Sequence, residues 1–423
     1  MCPGKPSWHL VRAAALAVFI TTVMSACGGG GSTEATTLTT PTQPAPVLLA
    51  NVLPVTVDAG PPQSGYNVNR LYASVTLCRP GDPTQCRTIP HVLVDTGSTG
   101  LRLLASALGP SLNLTPVRGA SGLPLLNCAQ FVDNTFTWGP VVAADVVLGG
   151  KTARNVPMQL AGSPVFDPLS GACSSGTEMN TAATLGANGI LGLGLFKEDC
   201  GTGCASVTGN GFYYTCTDAA CTATQPIRAS LAQQVKQPVT LFENDNNGLI
   251  VHLPAASPGG AASMKGSVIF GIATQANNQL GTEALLTTDS LGYITTVLSG
   301  RSLNSSFLDT GSNALFFDSG SIAQCGVRAS GFYCPPVPEA LVATNVGVNG
   351  ARVPVPYAVD NAVTLFASYP FAVLPGLSGP IGACLSFTGA GCLWAFRRSL
   401  PAWARGLFTL FEARRCWRLA GHS

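Results

Sequence analysis

His91-Val-Leu-Val-Asp95-Thr96-Gly97-Ser98-Thr99-Gly100-Leu101 and Ser306-Phe-Leu-Asp309-Thr310-Gly311-Ser312-Asn313-Ala314-Leu315 spell one pattern twice in the chain, 214 residues apart. In both, apolar residues lead into Asp-Thr-Gly-Ser, and a Leu stands four residues past the Gly. A single Asp-Thr-Gly arises by chance in roughly one chain of this length in ten. Two copies with the same flanks do not coincide so easily. An apolar strand of this kind delivers its Asp into a buried turn, the Thr ties the turn down, and the Gly lets a partner approach closely.

Two such turns facing each other bring Asp95 and Asp309 together. Like charges in contact cannot both ionise comfortably, so the pair shares one proton and titrates as a unit. The ionised member can take a proton from water while the protonated one hydrogen-bonds a scissile carbonyl. That chemistry requires neither cofactor nor metal. Asp318-Ser319-Gly320, nine residues beyond Asp309, is a shorter near-match and reads as a surface turn.

Around these motifs the chain resembles the pepsin-like aspartic peptidases. Asn188-Gly-Ile-Leu-Gly-Leu-Gly194 is similar to the segment that threads behind the first aspartate in that family, and Gly266-Ser-Val-Ile-Phe-Gly-Ile272 to the strand that leaves its first lobe. The resemblance implies an all-β, two-lobed acid-protease fold with few short helices, and a cleft between the lobes that takes an extended peptide or protein substrate. Carried over by position, Asp95 and Asp309 are the catalytic pair, and Thr96, Gly97, Ser98, Thr310, Gly311 and Ser312 form the supporting turns. Thr99 stands where a hydroxyl commonly supports the first aspartate. The family's flap hairpin corresponds to Asn127 to Gly139. Its expected tyrosine is missing, and Phe131, Phe136 and Trp138 either cover substrate or simply pack. The second lobe's own segment behind Asp309 has no convincing counterpart. A lipobox ahead of such a domain also resembles a group of bacterial lipoproteins of unknown function.

Composition agrees with a strand-rich reading. Of the 423 residues 46% are hydrophobic and only 10% charged, against about 25% charged in an average soluble domain. Short, β-branched apolar segments bounded by Gly, Pro, Asn or Asp recur at Leu71 to Leu77, Val92 to Val94, Val141 to Leu148 and Val268 to Phe270. One helix is expected at Ile227 to Val235, after Pro226. A formal net charge of +2 provides no field for nucleic acid. Gly-x-Ser-x-Gly and His-Glu-x-x-His are absent and the four histidines are dispersed, which excludes the usual serine-hydrolase and metallopeptidase signatures and leaves no metal site.

The first 27 residues read as an export signal: Lys5 and Arg12 precede the apolar run Ala13 to Ile20, which ends in Met24-Ser25-Ala26-Cys27. That ending is similar to a bacterial lipobox and makes Cys27 the lipid anchor; plain secretion with cleavage near Ala26 is the alternative. The expected protein is then a monomer outside the cytoplasm, lipid-anchored to a membrane. Export makes disulfides the default for the cysteines that follow. Close spacing pairs Cys78 with Cys86, Cys200 with Cys204, Cys216 with Cys221 and Cys325 with Cys334; Cys128 with Cys173 and Cys384 with Cys392 are looser pairings. The cysteine-rich stretch from Lys197 to Gln225 reads as a stapled loop.

The chain thus divides into a signal (1–27), a Gly- and Thr-rich tether (28–46), a first lobe with inter-lobe strands (47–275), a second lobe (276–392) and a tail (393–423). The tail holds six arginines against the single acid Glu412, and three of the five tryptophans. It reads as an unusual tail, a basic membrane contact, or translation in a shifted frame. The last is preferred, because the change of composition coincides with the end of the family pattern. Reading the gene in its other frames across codons 380 to 405 tests it.

Overall fold

The computed structural model describes residues 49–109, 112–166, 173, 176–281, 283–368 and 370–380, and the backbone of 393–397 and 407–410. Within these the chain is strand-built, as expected. Its four α-helices have four or five residues each (Ala105–Leu108, Ala182–Leu185, Thr202–Ser206, Ala362–Phe366), and none is long and apolar enough to cross a membrane.

The strands run, in chain order, β1 (Val52–Val57), β2 (Leu71–Arg79), β3 (Asp82–Asp95), β4 (Thr99–Leu104), β5 (Leu125–Gln130), β6 (Thr135–Leu148), β7 (Lys151–Ala161), β8 (Thr177–Glu178) and β9 (Gly189–Leu193). They continue as β10 (Tyr213–Cys216), β11 (Thr224–Pro226), β12 (Gly248–His252), β13 (Met264–Phe270), β14 (Ala284–Thr287), β15 (Ile294–Leu298), β16 (Arg301–Ser306) and β17 (Leu315–Phe316). The last are β18 (Glu339–Val346), β19 (Arg352–Val359), β20 (Ser378–Gly379), β21 (Leu393–Arg397) and β22 (Leu407–Leu410).

Strands β6, β7, β4, β9, β3 and β2 follow one another as hydrogen-bonded neighbours, and β2 pairs back onto β6, so the six close into a ring. Closure leaves these six no free edge. The ring encloses an apolar interior in which Val75, Leu77, Val94, Leu101, Leu103, Val146, Met158 and Leu191 are fully buried. Alternation explains which residues point inward: in β2, Ala73, Val75 and Leu77 are buried while Ser74 is exposed. The four stretches picked out by β-branched composition all lie in strands, in β2, β3, β6 and β13.

After β13 the sheet pattern changes. Strands β16, β15, β18 and β19 form a separate four-stranded antiparallel sheet, and β17 pairs in parallel with β20. From the tail, β21 pairs with β12 and β22 with β14. The rest of the tail, the signal, the tether, Cys27, Cys384 and Cys392 lie outside the described residues.

Two expectations need correction. Ile227 to Val235 is not a helix, because its backbone is bonded to distant segments instead of to itself. Ile227 N–H donates to Tyr213 O at 3.0 Å and Ala229 N–H to Cys204 O at 3.0 Å, and one tight turn at Ser230 to Gln234 is all that folds locally. The stretch from Lys197 to Gln225 is more than a stapled loop. It contributes β10, which pairs with β5, and β11, which pairs with β10.

The five pairs Cys78–Cys86, Cys128–Cys173, Cys200–Cys204, Cys216–Cys221 and Cys325–Cys334 are disulfides. Cys128–Cys173 spans 45 residues, the widest separation of the five, and both its cysteines are buried with Phe136 and Trp138. Removing this bond as Cys128→Ser/Cys173→Ser is expected to lower stability by about 4 kcal/mol, more than removal of Cys200–Cys204, because the longer loop loses more closure entropy. Urea unfolding of the two double variants measures the difference; an equal loss in both refutes the ordering.

Candidate active site

Asp95 is the last residue of β3, and Thr99 begins β4 on the far side of the turn. Strand β9 lies between the two. Leu93, Val94 and Asp95 pair in parallel with Ile190, Leu191 and Gly192, and Thr99 to Leu103 run antiparallel to Leu193 to Gly189. This is the threading expected of Asn188 to Gly194. It needs glycine at the crossing: a Cβ at Gly192 would stand 2.7 Å from Gly100 O. Gly194 N–H then donates to Ser98 O at 2.8 Å and fixes the turn itself.

The second turn follows β16 and leads into β17. The two turns are held together by their threonines, each buried. Thr96 Oγ1 accepts from Thr310 N–H at 3.0 Å and donates to Leu308 O at 2.9 Å. Reciprocally, Thr310 Oγ1 accepts from Thr96 N–H at 3.2 Å and donates to Val94 O at 2.6 Å. Each hydroxyl thus satisfies a backbone donor and a backbone acceptor of the opposite turn, where unpaired groups would be costly.

The carboxylates face across this joint. A Cβ on Gly97 would lie 2.8 Å from Asp309 Cγ, and one on Gly311 would lie 2.8 Å from Asp95 Cγ. Any larger residue at either position would collide with the opposite acid. Gly97 N–H donates to Asp95 Oδ1 at 2.8 Å, and Gly311 N–H to Asp309 Oδ1 at 2.6 Å. Ser98 Oγ donates to Asp95 Oδ2, and Ser312 Oγ to Asp309 Oδ2. The hydroxyl on Asp95 is therefore that of Ser98, whereas Thr99 is built into β4 and its carbonyl accepts from Arg102 at 2.7 Å. Position in the motif favours Thr99; the turn's geometry favours the residue three after the acid, in both copies.

Burial, then the charge of Asp309 and its hydrogen bond, push the Asp95 carboxyl up to about 8, with Ser98 and the Gly97 amide pulling the other way. The folded protein then holds a proton on Asp95 over a range where the unfolded chain, titrating near 4, has lost it. The contribution of Asp95 to stability is accordingly full at and below about pH 4 and declines as pH rises toward 8, by on the order of a few kcal/mol. Asp95→Asn should flatten this decline, leaving the variant close to wild type at pH 4 and more stable at pH 8. Urea midpoints at intervals of pH provide the measurement, and parallel curves for the two proteins would contradict a raised Asp95.

Sequence-predicted residues outside the joint fall elsewhere. Asp318 lies on a partly exposed turn 4.0 Å from Arg301. In the hairpin of β5 and β6, Phe136 and Trp138 are 2% exposed and packed on Cys128 and Cys173, and Phe131 packs beside Tyr72, Leu93 and Leu104. Phe136 and Trp138 are thus packing residues, and Phe131 is partly buried. Among the described residues no group of three or more His, Cys, Asp or Glu side chains is placed to hold a metal ion.

A buried polar cluster beside the first turn was not anticipated. Arg102, in β4, donates to Asp199 Oδ2 at 3.0 Å with both side chains almost fully buried, and Asp199 also accepts from Tyr213 and Asn127. Its sequence signal is a charged residue inside the apolar run Leu101-Arg102-Leu103-Leu104.

A family described as Protein of unknown function (DUF3443) matches residues 48–400. Comparison with curated proteins returns no match. Among solved structures, an aspartic proteinase from Irpex lacteus is similar at 14% identity and a TM-score of 0.39, over 72% of this chain and 77% of that one.

Proposed function

The chain belongs to the DUF3443 family, whose description assigns no activity, and we propose from the site itself that it is an aspartic endopeptidase acting outside the cytoplasm. The observation that carries this reading is the reciprocal joint: two turns locked by Thr96 and Thr310, with each carboxylate against the other's glycine. Asp95 and Asp309 hold a water between them. The ionised acid removes a proton from that water as its oxygen attacks the peptide carbonyl carbon, and the protonated acid donates a hydrogen bond to the carbonyl oxygen. Collapse of the tetrahedral diol breaks the C–N bond, with a proton passing from the pair to the leaving nitrogen. Thr96, Gly97, Ser98, Thr310, Gly311 and Ser312 hold the acids in place. No covalent intermediate forms.

Incubating residues 28–423 with a mixed peptide library between pH 3 and 8 tests the reading. Cleavage that is lost in Asp95→Asn supports it. A second reading, a silent relative that binds peptide without cutting, is favoured by the burial of Phe136 and Trp138, which leaves the hairpin tip Val132-Asp133-Asn134 without a hydrogen-bonding aromatic. Saturable peptide binding with no cleavage at any pH would select it.

The five disulfides support an oxidising compartment, and the lipobox-like ending supports anchoring through Cys27. Metabolic fatty-acid labelling should mark the wild type and not Cys27→Ser; equal labelling, or none in either, leaves plain secretion.

A further inference from the structure

We propose that Arg102, Asp199, Tyr213 and Asn127 are positioning residues for Asp95, clamping its turn to the disulfide-stapled segment and to the β5–β6 hairpin; this inference rests on the aspartic-dyad reading. Arg102 is only 3% exposed in the middle of β4. One arm of its guanidinium, Nη1, donates to Thr99 O at 2.7 Å and Gly100 O at 3.4 Å. The other, Nη2, reaches Asp199 Oδ2 at 3.0 Å. Asp199 Oδ1 accepts from Tyr213 Oη at 2.5 Å, and Oδ2 from Asn127 Nδ2 at 3.1 Å. Tyr213 Oη in turn accepts from Val235 N–H at 2.8 Å.

The cluster is bonded to the end of the first turn through the Thr99 and Gly100 carbonyls. Thr99 and Gly100, whose carbonyls Arg102 holds, pair with Leu193 and Gly192 of β9, and Gly192 is the register partner of Asp95. Gly100 has φ of +98° and lies so close to Val235 that a Cβ there would stand 2.5 Å from Val235 Cγ1. Leu101 N–H donates to Lys236 O at 3.3 Å. Contacts therefore run without a gap from the clamp through Thr99 and Gly100 to Ser98 and Asp95. Asn127 carries the same clamp into the hairpin, where its carbonyl accepts from Gln159 Nε2 at 2.7 Å and Gln159 Oε1 accepts from Thr137 at 2.6 Å.

Stability alone does not account for the cluster. A buried ion pair is often no more stabilising than apolar side chains of similar volume, burial pushes the Asp199 carboxyl up despite Arg102 beside it, and Arg102 Nε is buried with no partner among the described residues. Planar, two-armed geometry is what Arg provides and Lys or an apolar residue does not.

The test reads the dyad through stability, so it needs no cleavage. The titratable group facing Asp95 is Asp309 from the opposite turn, with Ser98 and the Gly97 amide from its own. Burial and Asp309 are the two largest influences on Asp95, and both depend on the turn staying in the joint. Urea midpoints between pH 4 and 8 are compared for wild type, Asp95→Asn, Arg102→Lys and Arg102→Met/Asp199→Leu, and for each clamp variant combined with Asp95→Asn, so that the raised Asp199 carboxyl is subtracted and only the part of the decline due to Asp95 is read. The apolar double variant keeps the fold where a lone buried charge would not. We expect both clamp variants to lose at least half of the Asp95-dependent decline toward pH 8, with both still cooperatively folded at pH 4. Folded clamp variants that keep the full Asp95-dependent decline would reduce the cluster to scaffold and overturn the proposal. A wild type whose decline is no steeper than that of Asp95→Asn would overturn it too. Absence of peptide cleavage, by contrast, bears only on the endopeptidase reading.

Discussion

Asp95→Asn and Asp309→Asn are each expected to abolish peptide cleavage, by on the order of 10⁴-fold, while leaving the protein folded. Neither acid can act alone, because one must be ionised and the other protonated in the same encounter. The double variant should lose little more than either single one, as residues that work as a unit do. Asp318→Asn, at its partly exposed position beside Arg301, should cut at the wild-type rate. The pH dependence has a definite sign. Activity falls as pH rises through the upper apparent pKa of the pair, because full ionisation removes the proton that polarises the carbonyl, and with Asp95 pushed up to about 8 activity extends toward neutral pH. A pH–rate profile on folded variants, with a statine-like transition-state mimic as independent probe, makes the measurement. Cleavage surviving in Asp309→Asn would show that the two motifs do not form one site.

Thr96→Val and Thr310→Val carry the second large effect, although they keep shape and charge. Valine matches threonine in volume but has no hydroxyl. Thr96→Val strands the buried Thr310 N–H and Leu308 carbonyl, and Thr310→Val strands the Thr96 N–H and Val94 carbonyl. At about 1–3 kcal/mol for each orphaned group, either change should cost about 2–6 kcal/mol. The two should not add. Both hydroxyls hold the same pair of turns, so once one is gone the turns part and the other has less to lose. Urea unfolding of both singles and the double variant gives the coupling. Additivity within about 0.5 kcal/mol, or single costs below about 1 kcal/mol, would mean that water replaces the hydroxyls and the joint is not dry.

The repeated Asp-Thr-Gly-Ser was legible because its spelling is dictated by contacts no other residues can make: Gly where the opposing carboxylate touches, Thr where one hydroxyl must donate and accept. Gly189 to Leu193 was legible for a similar reason, since only an apolar strand with glycine at Gly192 can thread that turn. Close cysteines could be paired because short loops leave few other partners. The helix expected at Ile227 to Val235 failed because local propensity is weak against distant bonds to Tyr213 and Cys204. The Arg102 clamp stayed hidden because its members, Arg102, Asn127, Asp199 and Tyr213, are scattered over more than a hundred residues and share no spacing. Ser98 and Thr99 were both expected beside Asp95, and it is Ser98 whose hydroxyl reaches the carboxylate, because a motif fixes order along the chain, while a turn fixes direction in space.

All five disulfides of the described residues join cysteines that are immediate neighbours in the order of cysteines along the chain, Cys78 to Cys86, Cys128 to Cys173 and so on to Cys325 with Cys334. None crosses or encloses another. If the chain is exported, as proposed, and emerges N-terminus first, it presents the two members of each pair before the next pair arrives, and an oxidase that simply joins the newest thiol to the last free one makes the native set. Reshuffling through mixed disulfides, the slow step for proteins with interleaved bridges, is not needed. Maturation of this protein should then depend on the supply of oxidant at the exit site and be indifferent to the presence of a disulfide isomerase.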